Sequence, residues 1–289
     1  MARHPGRAAA LPALALILNA FTWGVSWWPL RWLQDAGLHP LWATVLIYAV
    51  AVVLISLRAP HAWGELLCTP SLWVLVLAAG TTNASFNWAV TVGDVVRVVL
   101  LFYVMPLWAV LLARALLGER LTPAAGLRVA LALIGAAIVL WPADGGGWPL
   151  PRTLAEALGV LGGFSFALNN VMLKREADRS ASARALAMFL GGVVVSAALA
   201  LATAASAPPP PAAGWILGML MLALAFLGGN LALQYGAARL PANATAVIMI
   251  TEVLFASISA LLLGAGTLTP ALAVGGALIV LASLLAVRG

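Results

Sequence analysis

The chain has 289 residues, 64% of them hydrophobic and only 8% charged, with a formal charge of +6. A soluble domain carries roughly 45–50% apolar and ~25% charged residues, so this composition excludes a soluble globular domain and defines a polytopic membrane protein. The fifteen Lys and Arg residues are scattered between apolar stretches, which excludes the continuous basic stripe of a nucleic-acid binder and leaves topology as their role.

Taking roughly 17–25 residues per crossing, the sequence predicts ten spans. The first five lie near residues 12–30, 40–57, 71–90, 95–117 and 123–141, and the second five near 153–173, 183–205, 214–237, 243–263 and 270–287. Arg3 and Arg7 precede the first span, but the apolar run continues past Trp23 and Trp27 without a cleavage site, so it reads as an uncleaved first span. Pro and Gly punctuate the joints, notably around Gly145, Gly146 and Gly147 and in the run ending at Pro211, leaving no room for a separate soluble domain. The single cysteine, Cys68, excludes an intrachain disulfide and a multi-cysteine metal site.

With a cytoplasmic N-terminus, twelve basic residues fall on the cytoplasmic side against Arg31, Arg97 and Arg152 outside. The positive-inside rule therefore places both termini in the cytoplasm. Asp94 and Arg97, one turn apart, read as an interfacial pair.

Residues recur at a fixed offset. Asn83 and Asn87 return 147 residues later as Asn230 and Gln234, Trp88 as Tyr235, and Leu121-Thr122-Pro123-Ala124 as Leu268-Thr269-Pro270-Ala271. An offset of 143 pairs Phe21-Thr22-Trp23 with Phe164-Ser165-Phe166. Five spans are an odd number, so a second copy enters the membrane from the opposite face. The expectation is an all-α integral membrane protein of ten helices in two inverted five-helix repeats, residues 1–146 and 147–289, which together form one transport domain. The Leu-Thr-Pro match also has a plain structural reading, because Thr before Pro is an ordinary helix start.

Polar groups inside spans mark candidate binding residues, because hydrocarbon offers them no partner. Asn83 and Asn87 share a helix face, as do Asn230 and Gln234. An amide suits both poles of a zwitterion, but it also makes ordinary helix-to-helix hydrogen bonds. Asn169 and Asn170 are adjacent, so at most one of them points fully inward. Asn19, Trp23 and Trp27 form one stripe of span one and offer aromatic walls, whereas Trp28 and Trp32 read as interfacial anchors. Pro106 frees a carbonyl in the middle of span four and predicts a bend, a candidate gate, with Tyr103 one turn away. Glu252 is the one carboxylate near the centre of a span, with no basic residue at matching depth. It is therefore protonated, paired or wet.

These residues resemble the drug/metabolite transporter superfamily, specifically its ten-helix EamA-type branch. The likeness is carried by Trp23-Gly24, Asn83 through Trp88, Pro106-Leu107-Trp108, the exit Gly118-Glu119-Arg120-Leu121-Thr122, and Glu252. The second repeat departs from it, reading Gly264-Ala265-Gly266-Thr267-Leu268-Thr269 without a glutamate. The aromatic content and basic N-terminus are similar to the aromatic amino-acid exporters of the superfamily. The resemblance implies a cavity lined by spans one, three, four, six, eight and nine, and export of amino acids or other small metabolites.

The expected function is a secondary-active or facilitative carrier that exports aromatic and medium neutral amino acids by alternating access. The alternatives are export of another small organic metabolite or drug and, more distantly, a non-transporting scaffold. The expected substrate-binding residues are Trp23, Trp27, Asn83, Asn87, Tyr103, Asn169, Gln234 and Glu252, with Pro106 in gating. An intramembrane enzyme is disfavoured, since His4, His39 and His61 lie outside span centres and no paired carboxylates sit within a span. The chain lacks a phosphate loop of the Gly-Lys-Ser/Thr type for ATP-driven pumping. No cofactor or metal is expected, and the partners are a small-molecule substrate and the lipid bilayer. Alanine- and arginine-rich usage with one lysine, Lys174, points to a bacterial cytoplasmic (inner) membrane.

Overall fold

The computed structural model of the chain describes residues 5–118, 122–141, 148–237, 239, 248–249 and 251–286. Among them all regular structure is helical. The helices are α1 (Pro5–Val25), α2 (Trp27–Asp35), α3 (Pro40–Arg58), α4 (His61–Cys68), α5 (Pro70–Val92), α6 (Val95–Phe102) and α7 (Met105–Leu117). They continue with α8 (Pro123–Leu140), α9 (Leu154–Arg175), α10 (Ala181–Ala202), α11 (Ala213–Ala237), α12 (Thr251–Leu262) and α13 (Pro270–Ala286).

Seven of these segments are long and apolar enough to cross a membrane, or eight when α4 and α5, bent by 101° at Thr69, are taken as one broken span. The chain is a multi-pass membrane protein. Large apolar side chains such as Leu14, Leu57, Leu224 and Ile258 point outward, which is stable only against lipid. α12 and α13 are shorter, at 12 and 17 residues. Residues 243–247 and 250 of the expected ninth span lie outside the described residues, as do both termini, Glu119, Arg120 and Gly146.

Local chemistry sets the helix ends. Pro29 lacks an amide hydrogen and sits in the first turn of α2, so span one breaks at Ser26, whose amide and hydroxyl both donate to the Trp23 carbonyl, at 3.2 and 2.8 Å. Span four breaks likewise at Tyr103 and Val104, and Pro106 stands in the first turn of α7. The expected bend in mid-helix is thus a helix end followed by a helix start. Thr122 and Thr269 accept from the amides of Ala125 and Leu272, at 3.1 and 3.2 Å. The repeated Thr-Pro pairs are therefore caps. Cys68 is the exposed last residue of α4, the helix-end position that was one of the two expected for it.

Packing mixes the two ends of the chain. α5 lies along α9 and α10, α1 along α11 and α12, α3 against α10, α8 against α13, and α6 and α7 against α9. Glycines permit the closest approaches: a Cβ on Gly80 would stand 2.3 Å from the Gly191 carbonyl oxygen, and one on Gly135 2.6 Å from that of Gly275. Without a hydrophobic force between helices in lipid, such close backbone contact supplies much of the association.

Polar joints gather at one end of the bundle. Arg31 donates from Nε to the Val90 carbonyl at 2.9 Å and from Nη2 to the Gly93 carbonyl. Asp94 does not pair with the Arg97 guanidinium as expected. Its carboxylate caps α6 through the Arg97 amide (2.9 Å) and accepts from the Thr267 amide (2.9 Å), while the guanidinium pairs with Glu156 of α9 at 2.9 Å. The carboxylate best placed to cap a helix is thereby spent on backbone amides. Trp28, Trp32, Trp141 and Trp148 are exposed, as interfacial anchors are.

Candidate functional site

A cavity of about 120 Å³ opens between helices from both ends of the chain. Asn19 and Trp23 of α1, Tyr48 of α3, Thr82, Asn83 and Phe86 of α5 and Phe102 of α6 line one part. Phe166 and Asn169 of α9, Met188 and Phe189 of α10, Asn230 and Leu233 of α11, Met249, and Glu252 of α12 line the rest. Asn19, Asn83, Asn169, Asn230 and Glu252 bring polar groups from five helices, and most of the remaining wall is aromatic or aliphatic. Trp23 stacks on Phe226 at 4.4 Å, and Phe102 meets Phe86 and Phe166 at 5.0 and 5.2 Å.

The amides in this wall are held differently. Asn83 Oδ1 accepts from the Tyr48 hydroxyl at 2.6 Å, and its Nδ2 donates to the Ala79 carbonyl one turn back at 2.8 Å. Both ends of Asn83 are therefore oriented by protein. Asn19 is 1% exposed; its Nδ2 donates to Met249 Sδ at 3.6 Å, and its Oδ1 has no partner among the described residues. Asn169 is 2% exposed and shows the same asymmetry, with Nδ2 directed at Asn170 Oδ1 (3.5 Å) and Oδ1 unmatched. Buried acceptors without partners are rare in proteins and costly unless a ligand or water meets them.

Glu252 is half-buried in the cavity wall. The Tyr103 hydroxyl lies 3.3 Å from Glu252 Oε2 and 3.4 Å from the Met249 carbonyl, and it gives its one proton to one of these acceptors. Tyr103 reaches them because it sits in the break between α6 and α7. Gly24 brings α1 against the same place, since a Cβ there would stand 2.8 Å from the Glu252 carbonyl oxygen and 2.7 Å from Phe255 Cβ. The Trp23-Gly24 pair thus combines a cavity wall with a close helix contact. No Arg, Lys or His lines the cavity among the described residues.

Trp23, Asn83, Asn169 and Glu252 of the expected site residues line this cavity, and Tyr103 touches it through Glu252. Trp27 does not line it. It is 3% exposed, donates from Nε1 to Ser259 Oγ of α12 at 2.9 Å, and lies under the Arg31 guanidinium at 5.3 Å. The break at Ser26 turns it off the stripe that Asn19 and Trp23 share. Asn87 is fully buried and donates to Thr44 Oγ1 of α3 at 3.1 Å, the helix-to-helix bond considered for it. The side chains of Gln234 and Pro106 lie outside the described residues. Sequence reasoning passed over Tyr48 and the phenylalanines. A tyrosine in mid-span was a signal of the same kind as the amides, but isolated phenylalanines carry none.

Comparison with known proteins agrees with this architecture. Residues 10–141 match the EamA-like transporter family. An uncharacterized transporter of Pseudomonas aeruginosa is 36% identical over 116 residues, 39% of this chain and 39% of that protein, so the match spans about two fifths of the relative's length. A crystal structure described only as that of a protein superimposes with a TM-score of 0.58 at 20% identity, over 98% of this chain and 97% of that one. That likeness concerns the fold alone.

Proposed function

We propose that this protein is a membrane transporter that exports aromatic and medium neutral amino acids across a bacterial cytoplasmic membrane by alternating access. The carrying observation is the cavity itself: an intramembrane space lined by amides, aromatic rings and one carboxylate. An ionisable group at such depth is costly and by default marks a functional site. The EamA-like transporter match over residues 10–141 supports the same reading.

In this reading ten spans form two inverted five-helix repeats, residues 1–146 and 147–289. α4 with α5 is one broken span, and α12 and α13 are the ninth and tenth. The packing supports it. Exchanging the two halves turns the contact of spans one and eight (α1 with α11) into that of spans six and three (α9 with α5), and both are extensive. Matched positions also meet in one cavity: Trp23 with Phe166, Asn83 with Asn230, Phe86 with Leu233, and Phe102 with Met249. A site on the axis between inverted halves is the arrangement alternating access requires.

Flux of the twenty amino acids in liposomes containing the purified chain tests the proposal, with Asn83→Ala as the site variant. Uptake of at least one aromatic amino acid above protein-free liposomes is expected. If another organic solute moves and no amino acid does, the cargo is a different metabolite. If nothing moves, the chain is a scaffold.

A further inference from the structure

The cavity contains a mismatch in polarity. Two buried atoms of its lining residues, Asn19 Oδ1 and Asn169 Oδ1, have no partner among the described residues, and both are acceptors. Their amide nitrogens are directed elsewhere, at Met249 Sδ and Asn170 Oδ1. The hydroxyl protons of the wall are spent within the protein as well, Tyr48 on Asn83 Oδ1 and Thr82 on the Ala78 carbonyl. Glu252 adds a carboxylate, and no described Arg, Lys or His answers it inside the cavity. Residues 240–247, outside the described residues, read Leu-Pro-Ala-Asn-Ala-Thr-Ala-Val and bring no basic side chain by composition.

Acceptors want donors. A ligand suited to this wall presents N–H groups and a positive charge, and it places an apolar or aromatic body against Trp23, Phe86, Phe102 and Phe166. Aromatic faces attract a desolvated ammonium further. A carboxylate on the ligand would find no cation and would share a small, poorly solvated space with Glu252, where like charges repel most strongly. We infer that the cavity recognises the ammonium pole of its cargo and not a carboxylate, so its substrate class is aromatic and medium-sized primary amines, including amino acids whose carboxylate is removed or masked. This rests on the cavity being the transport site of a carrier, and it replaces the free amino acids of that reading with the corresponding amines as the favoured cargo.

Three probes of one shape test it: 2-phenylethylamine, phenylalanine and 3-phenylpropionate, titrated calorimetrically at neutral pH into the full-length protein in detergent, with flux of amino acids into liposomes measured in parallel. The amine is expected to bind at least as tightly as phenylalanine, and the acid more than about tenfold more weakly, as expected for loss of a charge-assisted hydrogen bond. Glu252→Gln should weaken the amine by a similar factor. Asn169→Leu, which keeps the size and removes one open acceptor, should weaken it several-fold and serves if the Glu252 variant does not fold. Phenylalanine binding tenfold tighter than the amine would overturn the inference and leave amino-acid transport standing. Amine affinity unchanged in both variants overturns it too. Failure of all three probes to bind, with no amino-acid flux, overturns the transport reading along with it.

Discussion

Replacing Gly191 by alanine places one methyl group where α10 crosses α5. That methyl would stand 2.1 Å from the Val76 carbonyl oxygen and 2.9 Å from the Gly80 nitrogen. Both obstacles are backbone, so no side chain can swing aside, and the helices must separate by about 1 Å to restore ordinary contact. Overpacking of this kind costs ~1–3 kcal/mol, against a gain of under ~1 kcal/mol from alanine's better helix propensity. Gly126→Ala is the matched control, because nothing lies within 4 Å of a Cβ there. Fluorescence-monitored thermal unfolding in detergent should show Gly191→Ala melting lower than the parent by about 5 °C, and Gly126→Ala at or above it. α5 also carries Asn83 and α10 carries Phe189, both in the cavity wall, so affinity for cargo should fall in Gly191→Ala alone. Equal melting of the two variants would refute the view that backbone contact at this crossing holds the bundle together.

Tyr48→Phe removes the hydroxyl that fixes Asn83; stability should fall by only ~0.6 kcal/mol, while flux in liposomes drops several-fold, and unaltered flux would make Asn83 a packing residue. Glu156→Gln breaks the pair with Arg97 and weakens acceptance from the Arg152 and Thr153 amides; a loss of ~1–2 kcal/mol is expected for a pair whose carboxylate is buried, read as a lower melting temperature at low and high salt alike. Pro209→Cys in a Cys68→Ser background should react with an impermeant maleimide from outside intact cells, and reaction only after permeabilisation would overturn the orientation read from the basic residues.

Much of the fold was legible because hydrocarbon leaves the backbone few options. Apolar runs of span length predict helices, and the Pro and Thr residues at their starts mark where most of them begin. What sequence reading missed were the discontinuities at Ser26 and Thr69. α4 follows Pro60 as a short helix before a sharp bend at Thr69, and a short apolar stretch beside a long one gives no periodic sign of that angle. The site was legible where a polar side chain stood in an apolar run, as with Asn83, Asn169 and Glu252. Trp27 failed that logic because an aromatic stripe on a straight helix ceases to be a stripe once Ser26 and Pro29 interrupt it. Which amide oxygens lack partners depends on how helices distant in sequence pack together, and no local pattern encodes that.

The long reach of those contacts bears on how the protein is made. Asn19 bonds to Met249 and Trp27 to Ser259, across 230 and 232 residues. A ribosome adding ~5–20 residues per second needs on the order of ten to fifty seconds to supply those partners. Through that interval the first helix waits in the bilayer or at the insertion machinery with its amide unmet, and neither half has a finished surface to fold against. Completion of the cavity must therefore come late. A chain stalled after the eighth span would expose polar groups to lipid, the kind of defect by which membrane quality control recognises an orphaned helix.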